Sequence, residues 1–348
     1  MLAKGAPDVR LLPTTELARA FRRALATMLS VTRGITADPE TVLITHGSQM
    51  ALDLVARALL QPGDAVVIEA LGHPFVRSTL ELAGARLVPV AVDRAGLRVD
   101  LIPAIAERHP IRAIVVTPHH QFPTTSVMPA ARRLQLLEFA REQRIAVVED
   151  DYNHEFHYDG RPVLPLASSD QAGVLVYVGT LSKILAPGLR VGFAVAPAVV
   201  IARMASLRIA TDIQGDLLIE AALADLFDRG ELGRHVRRMR RIYRARRDAL
   251  VDALHRDLGS ELSFEVPSGG MALWVRASGD IDVDRWAERG LDFGVAFNGG
   301  RMYDAQGEYQ PCIRLGFTFL TEAELEEAAR RMAAALAAVR RESRRVAG

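Results

Sequence analysis

The chain has 348 residues, of which 49% are hydrophobic, and its 43 basic residues nearly balance its 42 acidic ones. This length allows about two domains with a large core. The near-neutral charge argues against a protein dedicated to nucleic acid or a membrane surface, since such proteins usually carry a basic excess. A single cysteine, Cys312, excludes an internal disulfide framework and a cysteine-built metal cluster. With neither a transmembrane run nor a signal-peptide pattern, the sequence predicts a cytoplasmic protein without a membrane partner.

Through the first 200 residues, helical segments alternate with short apolar strands. Residues 15–29 predict an amphipathic helix, because apolar residues recur there at three- and four-residue spacing. The alternation that follows is typical of a mostly parallel sheet with helices on both faces. The predicted strands lie in ETVLITHGS, AVVIEA, RLVPVAV, IRAIVVTP, IAVVEDDY, VLVYVGTLSK and LRVGFAVAP.

The pattern changes after about residue 200. A long arginine-rich helical stretch over about 220–256 precedes several strand-like segments and a closing amphipathic helix. This mixture predicts a smaller α+β domain at the C-terminal end. The expected division is an N-terminal arm and helix of the small domain over 1–30, a large ligand-binding domain over 31–230, and a long interdomain helix with the small domain over 231–348.

Three polar clusters stand where predicted strands end: Thr45–Gln49, Glu149–Tyr152 and Thr180–Lys183. Ligands of open parallel sheets bind outside the carboxyl ends of the strands. Lys183 is notable because only two of the 43 basic residues are lysines, the other being Lys4. A surface position is the plain alternative, but the apolar, turn-rich ILAPGLRVG that follows favours a lysine of lowered pKa that attacks carbonyl groups.

The acidic cluster ends in a carboxylate and a phenol two residues apart. Asp150 is either a turn carboxylate or the group that keeps a heterocyclic nitrogen protonated, as a pyridoxal phosphate site requires. Tyr152 can present its hydroxyl to the same pocket. His154 and His157 follow closely, but no further ligands stand at a recognised spacing, so the sequence predicts no metal.

A phosphate site is indicated by the segment THGSQ, which joins a strand to a helix and leaves free N–H groups at the start of that helix. Thr180 and Ser182 add hydroxyls, and Arg190 adds a bidentate charge. Dinucleotide and Walker-type phosphate fingerprints are both missing from the sequence.

Together these segments carry a family resemblance. The lysine segment, GTLSKILAPGLRVG, resembles the motif of class I/II aminotransferases, which are pyridoxal-phosphate enzymes of fold type I. The other segments resemble the MocR/GabR-like branch over about residues 5–340. They are VVEDDYNHEFHYDGRPVLPLAS, TPHHQFPTT, LITHGSQMAL, RHVRRMRRIYRARRDAL and IRLGF.

The resemblance implies a fold-type I α/β architecture and a homodimer with its sites at the subunit interface. It also implies amino-group transfer between an amino acid and a 2-oxo acid through a Schiff base of Lys183 with pyridoxal 5'-phosphate. Asp150 would pair with the pyridinium nitrogen, Tyr152 with the phenolic oxygen, and Arg314 with the substrate carboxylate. The implied phosphate ligands are Ser48, Gln49, Thr180, Ser182 and Arg190.

The sequence departs from the family pattern at several points. His73 stands where relatives usually have a tyrosine that stacks on the cofactor, and Phe122 and Thr125 replace the Asn and Gly of an NPTG motif. Asn298, in FNGGR, is either a substrate contact or a turn residue. A family segment resembling YGDPxGxxxLRxAIAxYL is missing between about Ala26 and Met28. Either the gene lacks this segment, or the numbering closes over a loop that is mobile without cofactor. The second alternative is favoured and predicts a break in the backbone near residues 26–28.

Two other functions remain open at this stage. MocR-like regulators fuse a DNA-binding domain to this same domain, which then senses an effector. A nucleic-acid partner is therefore expected only if such an N-terminal domain has been removed. A lyase or decarboxylase on the same scaffold would carry the same lysine, aspartate and tyrosine, because fold and cofactor do not fix the reaction.

Overall fold

The structure is a computed structural model that describes residues 14–161, 163–212 and 215–347. The helices are α1 Thr14–Arg33, α2 Gly47–Leu59, α3 Pro74–Leu82, α4 Ile102–Ala106, α5 Ala130–Gln143, α6 Ala198–Thr211, α7 Leu217–Asp228, α8 Glu231–Leu258, α9 Val283–Asp292 and α10 Glu322–Ala347. The strands are β1 Val42–His46, β2 Ala65–Glu69, β3 Arg86–Val90, β4 Val92–Asp93, β5 Gly96–Leu97, β6 Ile111–Val116, β7 Ala146–Asp151, β8 Leu175–Thr180, β9 Val191–Val195, β10 Leu262–Ser263, β11 Ala272–Ala277, β12 Asn298–Gly299 and β13 Cys312–Gly316. Among the described helices none has the length and apolar composition needed to cross a membrane.

Seven of the described strands form a large sheet in the order β1-β9-β8-β7-β6-β2-β3. The strands from β8 through β7, β6 and β2 to β3 pair in parallel, whereas β9 runs antiparallel to both β8 and β1. The prediction of a mostly parallel sheet is therefore confirmed. The parallel strands end at one edge, which gathers the loops that follow them.

Helices cover both faces of this sheet, and the alternation of side chains along each strand explains why. On β1, Val42 and Ile44 join the buried cluster that includes α1 and α7, while Leu43 joins the cluster on the opposite face with α2 and α6. Because both faces are buried, the strands are continuously apolar rather than alternating with polar residues.

The smaller unit is built on an antiparallel sheet in the order β10-β11-β13-β12, packed against α8, α9 and α10. Its core contains the fully buried Trp286, whose indole Nε1 donates to the Met332 carbonyl oxygen at 2.9 Å. The register pairs Trp274 of β11 with Arg314 of β13 and places Asn298 of β12 on the other side of Arg314. This sheet therefore carries the arginine expected to bind substrate.

Helix α1 differs from the sequence expectation in two ways. It runs unbroken from Thr14 to Arg33, so the expected break near residues 26–28 is wrong. Its apolar side chains Phe21, Leu25 and Leu29 recur every four residues across that point and form one buried face. That face packs into the core of the large sheet. The sequence pattern assigns residues 1–30 to the small domain, and we propose instead that residues 14–30 belong to the large one.

The arginine-rich stretch forms two helices rather than one, because the chain turns between α7 and α8. Gly230 has φ +66°, in the left-handed region that ends helices and favours glycine. Asp216 begins α7 by accepting hydrogen bonds from the N–H groups of Leu218 and Ile219, both at 3.1 Å. We propose this turn as the boundary between the two domains, in line with the predicted division at residue 230.

A buried cation ties α1 to the large sheet. Arg33 is 1% exposed, and its guanidinium donates to Tyr177 of β8 and to Glu155 in the loop after β7. Tyr177 in turn donates its hydroxyl hydrogen to Asp151 at 2.8 Å. The network balances buried negative charge, and removing its cation leaves that charge uncompensated.

We predict that Arg33→Ala lowers the free energy of unfolding by about 3 kcal/mol or more, because buried acids lose their counter-charge. Urea unfolding of the wild type and the variant measures this difference in the free energy of unfolding. Arg23→Ala is the matched control, since Arg23 is exposed on the same helix, and we expect a change within about 0.5 kcal/mol. Equal losses in the two variants would show that the buried network contributes nothing.

Candidate active site

A cavity of about 770 Å³ lies between the carboxyl edge of the large sheet and the small domain. It brings together all three polar clusters that the sequence placed at strand ends, together with Arg314 from the small sheet. The lining residues with polar or charged side chains are Ser48, Gln49, His73, Thr117, Asp150, Tyr152, Thr180, Ser182, Lys183, Arg190, Arg314 and Thr318. Every predicted site residue except Asn298 is in that set.

Lys183 lies in the turn that follows β8 and lines the cavity. Loss of solvation lowers the pKa of Lys183, and the guanidinium groups of Arg314 and Arg190 lower it further. Both effects disfavour the ammonium form, so the free amine that attacks a carbonyl carbon becomes more accessible.

Asp150 occupies the next-to-last position of β7 and lines the cavity. Its Oδ1 is buried and has no hydrogen-bond partner among the described residues. Burial raises the pKa of Asp150 to about 7, and the neighbouring Asp151 contributes to the same shift. A cation at Oδ1 would remove this penalty, which is the condition that suits a protonated ring nitrogen.

Asp151 has the opposite electrostatic environment, although it is adjacent in the chain. It accepts a hydrogen bond from Tyr177, and its Oδ2 lies 3.2 Å from Nδ1 of His154. Burial opposes ionisation, yet His154 and Arg33 hold the pKa of Asp151 well below its usual range. Asp151 therefore stays charged and raises the pKa of Asp150.

A cradle for an anion forms where α2 begins. Gly192 of β9 packs so closely on this turn that a Cβ at Gly192 would overlap the carbonyl carbon of Gly47 and the backbone nitrogen of Ser48. Arg190 covers Gly47 and donates to the His46 carbonyl oxygen at 3.3 Å. The free N–H groups at the start of α2 and the Arg190 guanidinium thus lie together, where they can bind one anion.

The hydroxyls near this cradle are not equivalent. Ser182 Oγ is buried and unpaired within the described part of the chain. Thr180 uses its hydroxyl hydrogen on the Val191 carbonyl oxygen at 3.0 Å and accepts from the Ser182 N–H at 3.1 Å. Gln49 donates its side-chain amide to Thr79 of α3. Ser182 is therefore the freer hydroxyl donor, while Gln49 can contribute its backbone N–H.

An aromatic wall faces the lysine. The ring of His73 lies 4.7 Å from that of Phe122, and Arg314 stacks its guanidinium 4.5 Å from the centre of the same Phe122 ring. His73 begins α3, where its Nδ1 accepts from the Phe75 N–H at 3.2 Å. Burial lowers the pKa of His73 to about 4, and Arg314 and Lys183 act in the same direction. Its imidazole is therefore neutral near pH 7, as a stacking ring should be.

Two further residues that were predicted from the sequence differ from each other in their position relative to the cavity. Tyr152 lines the cavity and donates its hydroxyl to the His120 carbonyl oxygen at 2.9 Å, and burial raises the pKa of Tyr152 to about 12. Asn298 is exposed and is not among the residues that line the cavity. It neighbours Arg314 only through the strand register, so the turn interpretation fits its position better than a substrate contact.

Several lining and supporting residues were not predicted from the sequence. Met271 and Thr318 close the cavity from the small domain, and Phe75 and Val76 line it from α3. Glu69 is buried behind Asp150, and burial raises its pKa to about 8. Glu69 stands at the end of one predicted strand, and Asp150 stands close to the end of another. This shared position is the signal in the sequence that could have identified Glu69.

Comparisons with known proteins agree with this geometry. The family described as "Aminotransferase class I and II" matches residues 3–332. The chain is 29% identical to aromatic-amino-acid aminotransferase 1 of Thermococcus litoralis, over 96% of this chain and 81% of that protein. It is 35% identical to the HTH-type transcriptional regulator TauR of Rhodobacter capsulatus, over 87% of this chain and 62% of TauR.

A solved structure extends the comparison to the cofactor. LysN, the α-aminoadipate aminotransferase of Thermus thermophilus, was crystallised with N-(5'-phosphopyridoxyl)-L-leucine. It matches this fold with a TM-score of 0.86 at 29% identity, over 95% of this chain and 86% of LysN. The chain therefore belongs to the class I and II aminotransferases, the pyridoxal-phosphate-dependent enzymes of fold type I.

The cavity fits pyridoxal phosphate on its own evidence. The unpaired carboxylate oxygen of Asp150 suits the ring nitrogen, and the unpaired Ser182 hydroxyl lies with Arg190 on the wall of the same cavity, near the start of α2. Lys183 supplies the amine. These groups provide partners for the ring nitrogen, the phosphate and the aldehyde of the cofactor.

We predict that Asp150→Asn raises the free energy of unfolding of the cofactor-free protein by about 1–2 kcal/mol at pH 8. The pKa of Asp150 in the folded state is about 7, above the unfolded value of about 3.9. The wild-type protein therefore loses stability as the pH rises from about 4 to about 7. The gain should shrink as the pH falls through that window.

Urea unfolding at pH 5 and pH 8 measures this difference. Asp228→Asn, at an exposed position of α7, is the control, and we expect a change within about 0.5 kcal/mol at either pH. A gain that does not depend on pH would contradict the raised pKa. The Asp150 variant should also bind pyridoxal phosphate more weakly, because a neutral amide does not stabilise the pyridinium charge.

Proposed function

We propose that this cavity transfers an amino group between an amino acid and a 2-oxo acid, with Lys183 as the catalytic base and nucleophile. When bound, pyridoxal phosphate supplies a carbonyl carbon for the amino group and a ring that accepts electrons. Lys183 moves a proton at the substrate α-carbon, for which its lowered pKa is suited. The convergence of Lys183, Asp150 and Arg314 on one cavity is the observation that carries the proposal.

The other residues bind the cofactor and orient it. Asp150 keeps the ring nitrogen protonated, and Tyr152 redirects its hydroxyl hydrogen from the His120 carbonyl oxygen to the phenolic oxygen. His73 stacks as a neutral ring in place of the tyrosine expected there. The phosphate ligands are the backbone N–H groups of Ser48 and Gln49, the Ser182 hydroxyl and Arg190, with Thr180 shaping the turn that presents Ser182.

Arg314 is proposed to bind the substrate carboxylate. Its Nε is buried and has no hydrogen-bond partner in the described residues, while Phe122 holds the face of the guanidinium. A guanidinium fixed in this way presents a planar fork that matches a carboxylate with two parallel hydrogen bonds.

The donor is proposed to be an amino acid with a large apolar or aromatic side chain. Phe75, Val76, Leu52 and Met271 supply apolar surface to the cavity. One relative, of Thermococcus litoralis, is named an aromatic-amino-acid aminotransferase. A homodimer and a cytoplasmic location are part of the same proposal, the first from the family resemblance and the second from the single cysteine.

The sensor role is the alternative, because the chain is also similar to the regulator TauR. Both roles use the same cofactor site. They differ in outcome: an enzyme returns a 2-oxo acid and is regenerated by a second one, whereas a sensor binds the amino acid without net transfer. Multiple turnovers with phenylalanine and 2-oxoglutarate support the enzyme, and a single spectral change without product supports the sensor.

We predict that Lys183→Ala lowers turnover by about a thousandfold or more, because the proton at the α-carbon loses its carrier. Borohydride treatment of the wild-type holoenzyme should fix the cofactor covalently on a peptide that contains Lys183, as mass spectrometry detects. Lys4→Arg is the matched control, since Lys4 is the only other lysine in the sequence and lies outside the described residues. Covalent attachment that persists in Lys183→Ala would refute the assignment.

We predict that Arg314→Lys raises the KM for phenylalanine by about 10- to 100-fold with a smaller change in kcat, because one of two charged hydrogen bonds is lost. Steady-state kinetics of the wild type and the variant measure both KM and kcat. Phenethylamine, which lacks the carboxylate, is the control donor, and its KM should not change. A similar rise for both donors would show that Arg314 does not bind the carboxylate.

A further inference from the structure

Several histidines gather behind the cavity, in the loops that follow β6 and β7. One ring nitrogen each of His119, His120 and His157 lies within 4.8 Å of the others, and these three form the histidine cluster. The rings of His120 and His157 stack at 6.1 Å, and those of His119 and His120 are 4.2 Å apart. His154 also lies near His119, but its Nδ1 faces Asp151. The cluster lies outside the residues proposed for amino transfer.

The buried nitrogens of the cluster lack partners. His119 and His120 are fully buried. Neither ring nitrogen of His119, nor Nε2 of His120, has a hydrogen-bond partner among the residues described. Buried polar atoms are nearly always paired, so each such exception needs an explanation, and affinity for an ion is one of the recognised explanations.

A neighbouring amide orients His120 in the way that a metal ligand requires. Its Nδ1 lies 3.1 Å from Oδ1 of the buried Asn153. An amide oxygen only accepts, so Nδ1 carries the hydrogen and Nε2 keeps its lone pair.

The backbone of Gly269 packs closely beside that nitrogen. A Cβ at Gly269 would overlap Nε2 of His120, so a side chain larger than that of glycine would displace the ring. His120 itself has φ +52°, in the left-handed region where non-glycine residues are uncommon. His157 is half-buried and forms an isolated backbone bridge with Gly269, which holds it beside the two buried histidines.

We propose that His119, His120 and His157 bind one divalent transition-metal ion of the zinc class through one ring nitrogen each. Imidazole ligands suit Zn²⁺ and its neighbours Co²⁺, Ni²⁺ and Cu²⁺, whereas Mg²⁺ and Ca²⁺ prefer oxygen. Around a tetrahedral ion with metal–nitrogen distances of about 2.1 Å, the nitrogens lie about 3.4 Å apart. The three ring nitrogens therefore approach one another by roughly an ångström when the ion binds. A water molecule is the fourth ligand.

The ion has a structural role next to the cofactor site. Asn153, whose amide oxygen lies 3.1 Å from Nδ1 of His120, directly follows Tyr152 in the chain. Fixing His120 therefore stiffens the wall of the cavity that carries Tyr152. The sequence predicted no metal because the ligands come from two loops that are distant in the chain.

Isothermal titration of chelator-treated, untagged holoenzyme with zinc chloride tests the proposal. We expect one Zn²⁺ per chain in the wild type and an affinity at least about tenfold lower in His157→Ala, which removes a half-buried ligand. The control is His255→Ala, an exposed histidine of α8, which should bind as the wild type does. Zinc should also raise the thermal unfolding midpoint of the wild type and of His255→Ala, but not that of His157→Ala.

Two results would overturn the proposal. One is a folded wild-type protein that gives no heat of binding with zinc. The other is equal zinc affinity in the wild type and His157→Ala, as expected if the cofactor phosphate held the ion. Cobalt gives an independent readout, since three imidazoles and one water produce the visible bands of a four-coordinate ion. None of these measurements requires turnover, so their outcome is separate from that of the amino-transfer proposal.

Discussion

Two consecutive carboxylates at the end of β7 set the constraint on which the rest of this structure depends. Because side chains alternate along a strand, Asp150 and Asp151 point to opposite faces of the sheet. Asp151 is compensated by Tyr177, His154 and, through that network, Arg33 of α1. Asp150 has an unpaired oxygen and a raised pKa, so a cation at that oxygen would stabilise its charged form. The same pair explains why α1 must pack on the large sheet.

The phosphate end of the site depends on backbone packing rather than on paired charges. The antiparallel strand β9 brings Gly192 against the start of α2, and this contact directs the N–H groups of Ser48 and Gln49 toward the cavity. Arg190 closes the cradle. Lys183 lies between the two ends because β8 runs beside β7 and stops level with it. Together these contacts set the distance between the phosphate cradle and the carboxylate of Asp150.

The motifs at strand ends were readable from the sequence because they are local. GTLSK, EDDY and THGSQ each follow a buried apolar strand, and parallel strands bring such ends to one edge. Other features depend on contacts that no local pattern encodes. The apolar stripe of helix α1 does not identify the surface on which it packs, and the departure of FNGGR from the family pattern does not reveal that Asn298 lies outside the cavity lining.

The sequence by itself determined the alternation of helices and strands, the candidate lysine, and most of the polar residues that line the cavity. Apolar periodicity and strand-end chemistry are properties of short segments, so they survive without the fold. Only the tertiary structure decided that Asp150 is unpaired while Asp151 is compensated, and that His119, His120 and His157 meet. Those facts depend on burial and on the meeting of distant loops, and both arise only when the chain packs.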